Sequence, residues 1–87
     1  MHERSLMNDL MNKITALAQE QQAKKVTKVT VWLGALSHMS PSHFQEHFTI
    51  SSRGTLAEGA EIETEVSTEI NHPNAQGIVL KSIDVAQ

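Results

Sequence analysis

The sequence contains no cysteine, and this absence restricts the chemistry that the chain can support. Disulfides, thiolate zinc sites, iron–sulfur clusters and cysteine nucleophiles are excluded, so any bound metal must use nitrogen or oxygen ligands. Aromatic residues are scarce too, with one Trp, two Phe and no Tyr. Together with a net charge of -3, this argues against a nucleic-acid partner, because nucleic acid calls for a basic surface or a row of stacking rings.

Long apolar runs are also missing. No stretch approaches the roughly 20 apolar residues of a membrane-spanning helix, and the opening Met-His-Glu-Arg lacks the apolar core of a signal peptide. The sequence therefore predicts a cytoplasmic protein without a membrane partner. Its 87 residues leave room for a single domain, residues 1–87, whose core is near the limit of self-sufficiency. A homodimer would relieve that limit.

Apolar spacing predicts the first three elements of secondary structure. A three- and four-residue repeat between Glu3 and Ala23 predicts an amphipathic helix that ends within Gln19-Glu20-Gln21-Gln22. Alternation predicts a strand from Val26 to Leu36, with Trp32 on the face opposite the core. Ser40-Pro41 is typical of the start of a second helix, and we expect Gly54 to be the left-handed residue that ends it.

Two further strands follow Gly59. The first of these carries an acidic stripe on one face, which we interpret as solvated surface. Lys28 would offset part of its negative charge if the strand that contains Lys28 lies alongside. The stripe consists of Glu61, Glu63, Glu65 and Glu69. The last strand runs from Ile78 to Val85, and its irregular alternation fits either a bulge or burial on both faces.

The elements predict an α+β fold of order α-β-α-β-β, with a three-stranded mixed sheet and two helices on one face. A right-handed crossover makes the first two strands parallel, and the short link at 71–77 predicts an antiparallel hairpin between the last two. We expect the helices to cover Val29, Val31, Leu33, Ile62, Val66 and Ile70. Trp32 would then project from the open face, as a candidate interface anchor.

The sequence shows no catalytic constellation. The glycines at 34, 54, 59 and 77 form no phosphate-binding loop, and no nucleophile stands in a known arrangement, so we do not expect an enzyme. The segment Met1-His2-Glu3 is more informative, because an α-amine, a backbone amide and the His2 imidazole can close adjacent chelate rings around one ion. Such nitrogen-rich square-planar coordination suits Ni(II) or Cu(II). The alternative is that His2 stands there by chance.

A second candidate metal site is His43 and His47, spaced i, i+4 on the predicted second helix. The stretch is not a zinc-protease motif, because Phe44 and not Glu follows the first histidine. Two histidines make an incomplete site, which His38 or Glu46 would have to join. The alternative is two surface histidines beside a phenylalanine stripe.

The order and spacing of several segments resemble a known family. These segments are Met1-His2-Glu3, Lys25-Val26-Thr27-Lys28-Val29, Leu33-Gly34-Ala35-Leu36-Ser37 and Arg53-Gly54-Thr55-Leu56-Ala57-Glu58-Gly59-Ala60. From Met1 to about Val66, and again in the last strand, the chain is similar to the HypA/HybF nickel metallochaperones.

The resemblance implies delivery of Ni(II) during maturation of [NiFe]-hydrogenase, and in some bacteria of urease. It implies nickel ligation by the N-terminal amine, the side chain and amide of His2, and the amide of Glu3. The implied partners are a nickel-handling GTPase and the hydrogenase large subunit. A metal-free interaction module of the same fold, using the open face around Trp32, is the alternative.

One departure from the family is large. Its members carry a zinc module with two Cys-x-x-Cys pairs between the last two strands, where this chain has only Asn71-His72-Pro73-Asn74-Ala75-Gln76-Gly77. We therefore expect no structural zinc, and a short link at 71–77 in place of the module. Both a shortened paralogue and an engineered deletion fit this pattern.

Overall fold

The computed structural model of the protein describes residues 3–87, with Glu3 described by its backbone alone. In chain order the elements are α1 (Glu3–Glu20), β1 (Lys25–Leu33), α2 (Pro41–Ser51), β2 (Glu61–Val66) and β3 (Ile78–Ala86). This order, the three-stranded mixed sheet and the two helices confirm the predicted fold class.

Helix α1 buries one stripe of its surface. The buried residues of this stripe are Met7, Leu10, Met11, Ile14 and Ala18, each at most 8% exposed. They recur every three or four residues, so they face the same side of the helix and pack against β3 and α2. Leu17, at the edge of the stripe, is 36% exposed.

Helix α2 begins where the sequence predicts. The Ser40 hydroxyl accepts a hydrogen bond of 3.2 Å from the backbone N–H of His43, and Pro41 occupies the first turn. Phe44 and Phe48 are buried on its inner side. The helix ends at its cap residue, Ser52, so the expectation that Gly54 ends it is wrong by two residues, although Gly54 does take a φ of 77° in the following turn.

The sheet has the strand order β2-β1-β3. Strands β1 and β2 are parallel, as predicted, and their register places Lys28 opposite Glu61 and Leu33 opposite Val66. Strand β3, however, is antiparallel to β1 and not to β2, so the predicted hairpin between the last two strands is wrong. The reason is burial: on the free edge of β1 the apolar residues of β3 pack under α1, whereas the outer edge of β2 would carry them away from it.

The chain between β2 and β3 passes over the end of β1. The Gly34 N–H donates to the Gly77 carbonyl at 2.9 Å, and the Leu36 N–H donates to the Ala75 carbonyl at 2.7 Å. The crossing is close because Gly34 has no side chain: a Cβ there would collide with the Ala75 carbonyl and lie 2.7 Å from that of Asn74. Gly34 therefore permits a short connection across the sheet.

A bulge explains the irregular alternation of β3. Thr30 pairs with Ser82 and Val31 with Leu80, which leaves Lys81 as an extra residue. The bulge shifts the phase of the strand, so apolar residues on both sides of it pack against the core. These residues are Ile78, Leu80, Ile83 and Val85. Of the two explanations that the sequence allowed, the bulge is correct.

Only some of the residues predicted to lie under the helices are buried on that face of the sheet. Val29, Val31 and Leu33 are fully buried, and Ile62 packs against them. Val66 and Ile70 are 57% and 62% exposed, so their predicted burial is wrong. Val66 is the last residue of the edge strand, and Ile70 lies in the turns beyond it. Within residues 3–87, no helix is long and apolar enough to cross a membrane.

Candidate functional site

The first candidate site is the segment Met1-His2-Glu3. Met1 and His2 lie outside the described residues, and Glu3 is the first residue of α1. The amide of a first helical residue has no carbonyl four positions earlier to which it could donate. The α-helix therefore makes no use of the Glu3 amide nitrogen, which is one of the ligands that the family resemblance implies.

A cleft of about 530 Å³ separates the first turns of α1 from the last turns of α2. Its lining residues are Arg4, Met7, Asn8, His47, Ile50 and Ser51. The packing of α1 against α2 thus places His47 across from the residues that directly follow Glu3. Sequence reasoning missed this proximity, because helical periodicity shows which face of each helix is buried but not how the two helices lie against each other.

The second candidate site is the pair of histidines on α2. Both side chains are half-buried, and their ring centroids are 4.7 Å apart with 47° between the ring planes. The predicted spacing thus brings His43 and His47 together. In the described part of the chain, no group of three or more His, Asp or Glu side chains could hold a metal ion. Neither His38 nor Glu46 therefore completes the pair.

Trp32 lies on the sheet face that the helices leave open, as its alternation predicts. In register it stands opposite Glu65 of β2 and Val79 of β3. The indole is half-buried and stacks on the His72 ring, with centroids 4.7 Å apart and a tilt of 46°. The link between β2 and β3 therefore partly covers Trp32, whose role as an interface anchor stays a prediction.

Two lysines offset the acidic stripe of this face. Lys28 Nζ lies 2.8 Å from Glu63 Oε1, and Lys81 Nζ lies 2.8 Å from Glu65 Oε2. The hydrogen bond from Lys28, together with its charge, lowers the pKa of Glu63, and the same contact raises the pKa of Lys28. The sequence predicted the role of Lys28 but not of Lys81, whose placement depends on the bulge.

His72, in the link at 71–77, uses one ring nitrogen for a structural contact. Its Nδ1 accepts a hydrogen bond of 2.9 Å from the Asn74 N–H. In a neutral imidazole with Nδ1 as the acceptor, the ring hydrogen is on Nε2, so neither nitrogen offers a spare lone pair to a metal ion. The geometry of His72 favours a role in shaping the link.

The sequence matches a family profile described as hydrogenase/urease nickel incorporation, metallochaperone, hypA, over residues 1–72. A hydrogenase maturation factor HypA from Archaeoglobus fulgidus is 41% identical over 66 residues, which are 76% of this chain and 60% of the relative. The corresponding factor from Aquifex aeolicus is also 41% identical over 66 residues, 57% of its length. This chain thus spans less than two thirds of the length of these relatives.

The fold also has a counterpart among solved structures. The solution structure of the Ni metallochaperone HypA from Helicobacter pylori superposes with a TM-score of 0.80 at 19% identity, covering 99% of this chain and 98% of that one. At this identity the likeness establishes the fold. The family match over residues 1–72 and the identity to curated relatives establish membership. The chain belongs to the HypA family of nickel-incorporation metallochaperones, which are not enzymes.

Proposed function

We propose that this protein binds one Ni(II) ion at its N-terminus and passes it to a partner protein during assembly of a nickel enzyme such as [NiFe]-hydrogenase. The ligands in this proposal are the Met1 amine, the imidazole and amide nitrogens of His2, and the amide nitrogen of Glu3. The observation that carries the proposal is the sequence Met1-His2-Glu3 in a chain of the nickel-incorporation family.

The start of α1 at Glu3 supports this ligand set. Because the first amides of a helix have no intrahelical acceptor, metal binding at Glu3 breaks no hydrogen bond of α1. An amide nitrogen that has lost its proton carries negative charge, which the positive end of the helix dipole stabilises. Four nitrogen ligands in one plane are a geometry that Ni(II) accepts and Zn(II) does not prefer.

The proposed activity is transfer without catalysis. In this proposal the partners are a nickel-handling GTPase and the large subunit of the hydrogenase, with urease as a second client. Protonation of the ligands gives a route for release, since reference pKa values are about 7.7–8.0 for an α-amine and about 6.5 for a histidine. Nickel affinity should therefore fall steeply as the pH drops below neutrality.

The test is calorimetric titration with Ni(II) of protein whose free Met1 amine has been verified by mass spectrometry. We expect tight binding of one ion per chain, and its loss both in His2→Ala and in a chain extended by Gly-Ser before Met1. Substitution of a residue that contacts a metal ligand typically lowers metal affinity about 10–100-fold. Loss of a ligand itself should lower the nickel affinity by more than this. The extension acts by converting the amine into an amide without a basic lone pair.

His38→Asn is the matched control, because it removes an exposed imidazole far from the N-terminus in sequence. Asparagine tolerates the left-handed backbone of this position, whose φ is 58°. The control should bind nickel as the unmodified chain does. Unchanged tight binding in both His2→Ala and the extended chain would show that the N-terminal mechanism is wrong.

A metal-free interaction module is the second candidate function, and the observation that favours it is the indole of Trp32 on an open sheet face. Tryptophan is enriched near the centres of protein–protein interfaces, and Trp32 is half-buried within the single chain. If this face joins two copies of the chain, sedimentation velocity should show association that rises with protein concentration and is lost in Trp32→Ser. A monomer at all concentrations would count against the homodimer.

A further inference from the structure

We propose that His43 and His47 form a second, weaker Ni(II) site at the cleft between α2 and the first turns of α1, where it can hold the ion in transit. This inference rests on the proposed function for the identity of the ion. It adds a place on the folded domain where that ion is held once the N-terminal ligands release it. Its observations come from α2 and its cleft.

The first observation is the geometry of the pair. One helical turn separates the two residues, and their ring centroids are 4.7 Å apart. At this separation small rotations of the side chains direct one nitrogen of each ring at a common ion, at the roughly 2.0–2.1 Å typical of metal–imidazole bonds. Imidazole suits nickel, copper and zinc alike, so the chemistry admits Ni(II).

The second observation is the position of the pair in the fold. His47 lines the cleft whose opposite wall contains Arg4, Met7 and Asn8 of α1. Arg4 directly follows Glu3 in the chain. An ion released from the N-terminal ligands therefore starts within a few residues of this cleft, and His47 is the imidazole on its far wall.

The third observation concerns affinity. Among the described residues, no third His, Asp or Glu joins the pair in a group that could hold a metal ion, so the two imidazoles are the ligands that α2 contributes. Both imidazoles are neutral ligands, and the guanidinium of Arg4 in the same cleft opposes a further cation. The pair should hold nickel less tightly than a four-nitrogen chelate, which is what transfer to a partner requires.

The two sites should differ in the spectroscopy of the bound ion. Square-planar Ni(II) with four strong nitrogen ligands is diamagnetic and leaves NMR lines sharp. Ni(II) held by two imidazoles and several waters is octahedral and paramagnetic, so it broadens the resonances of nearby residues. Titration of isotope-labelled protein can therefore separate the sites without any assay of nickel delivery.

The experiment uses the chain extended by Gly-Ser before Met1, in which the N-terminal site is blocked. We expect Ni(II) to broaden the resonances of His43, His47 and their neighbours on α2, and calorimetry to show one weak binding event. Single substitutions His43→Gln and His47→Gln should each reduce this affinity at least tenfold, because a chelate needs both rings. His38→Asn should leave it unchanged, and circular dichroism checks that each variant folds.

Three outcomes separate this inference from the proposed function. If the extended chain shows no broadening on α2 and binds nickel no better than His47→Gln, the second site does not exist, whatever the unextended chain does. If the unextended His43→Gln/His47→Gln chain keeps one tight Ni(II), the N-terminal site stands independently of the pair. If that double variant loses all nickel binding, the pair is the primary site, and both its designation as the weaker site and the N-terminal proposal are wrong.

Discussion

At the scale of single residues, Gly34 shows how one position decides the path of the chain. It follows the central strand directly, and its N–H binds the carbonyl of Gly77 while the backbone of Asn74 and Ala75 lies against its Cα. No side chain fits between these two segments. The sequence marks Gly34 only through its place in the Leu33-Gly34-Ala35-Leu36-Ser37 segment, since the segment that crosses it lies some 40 positions further along the chain.

We expect Gly34→Ala to destabilise the protein by about 1–3 kcal/mol or more, because the added methyl group collides with backbone that cannot rotate away. Gly77→Ala is the matched control in the same connection. Its Cβ would lie 3.7 Å from the neighbouring Asn74 carbonyl oxygen, an ordinary van der Waals contact, so its effect should stay within about 0.5 kcal/mol. Urea unfolding followed by circular dichroism measures both, and equal losses would contradict the packing argument.

At the scale of the elements, periodicity predicts which helices and strands form, but it does not predict the strand with which β3 pairs. The apolar spacing of α1, the Ser40-Pro41 start of α2 and the alternation of β1 all derive from neighbouring residues, and the structure confirms them. The partner of β3 depends on which edge of β1 is free and lies under α1, which is a property of the assembled layers. The same holds for the bulge at Lys81 and for the cleft beside His47.

The ion pair between β1 and β2 should give a pH-dependent contribution to stability. Because the pKa of Glu63 is lowered, its carboxylate stabilises the fold at pH values above the ordinary pKa of 4.5. This stabilisation is lost as the pH falls through the lower pKa of the folded state. The raised pKa of Lys28 matters at alkaline pH. The Lys28 ammonium stabilises the fold below pH 10.5, and this stabilisation is lost as the pH rises through the higher pKa of the folded state.

We therefore expect Glu63→Gln to lower the urea midpoint at pH 7, by a small amount because Glu63 is exposed and Lys28 is only half-buried, so that water screens the pair. Glu61→Gln is the control: Glu61 stands opposite Lys28 in register but does not form the ion pair. The difference between the two variants should disappear in acid, where Glu63 is protonated, and shrink in high salt. A difference that persists unchanged at low pH would point to packing and not to charge.

At the scale of the whole molecule, the described residues form one compact core. The radius of gyration is 12.5 Å, close to the about 12 Å of a compact domain of this length. The largest buried side chains, Phe44 and Phe48 among them, come from α1, α2 and β1. The connection between β2 and β3 is tied to β1 by backbone hydrogen bonds, from which we predict that it holds its shape without a metal.

We accordingly expect the purified protein to fold without zinc. Elemental analysis should find no stoichiometric zinc after dialysis, and EDTA should leave the melting temperature unchanged, because His72 Nδ1 already accepts from Asn74 and the chain has no thiolate. His72→Asn separates the roles of this residue: it should weaken the link through loss of the ring stacked on Trp32, without changing metal content. A dialysis-resistant zinc that disappears in His72→Asn, and whose removal lowers the melting temperature of the unmodified protein, would instead make the link at 71–77 a metal site. The stability of the fold would then depend on that ion and not on the core alone.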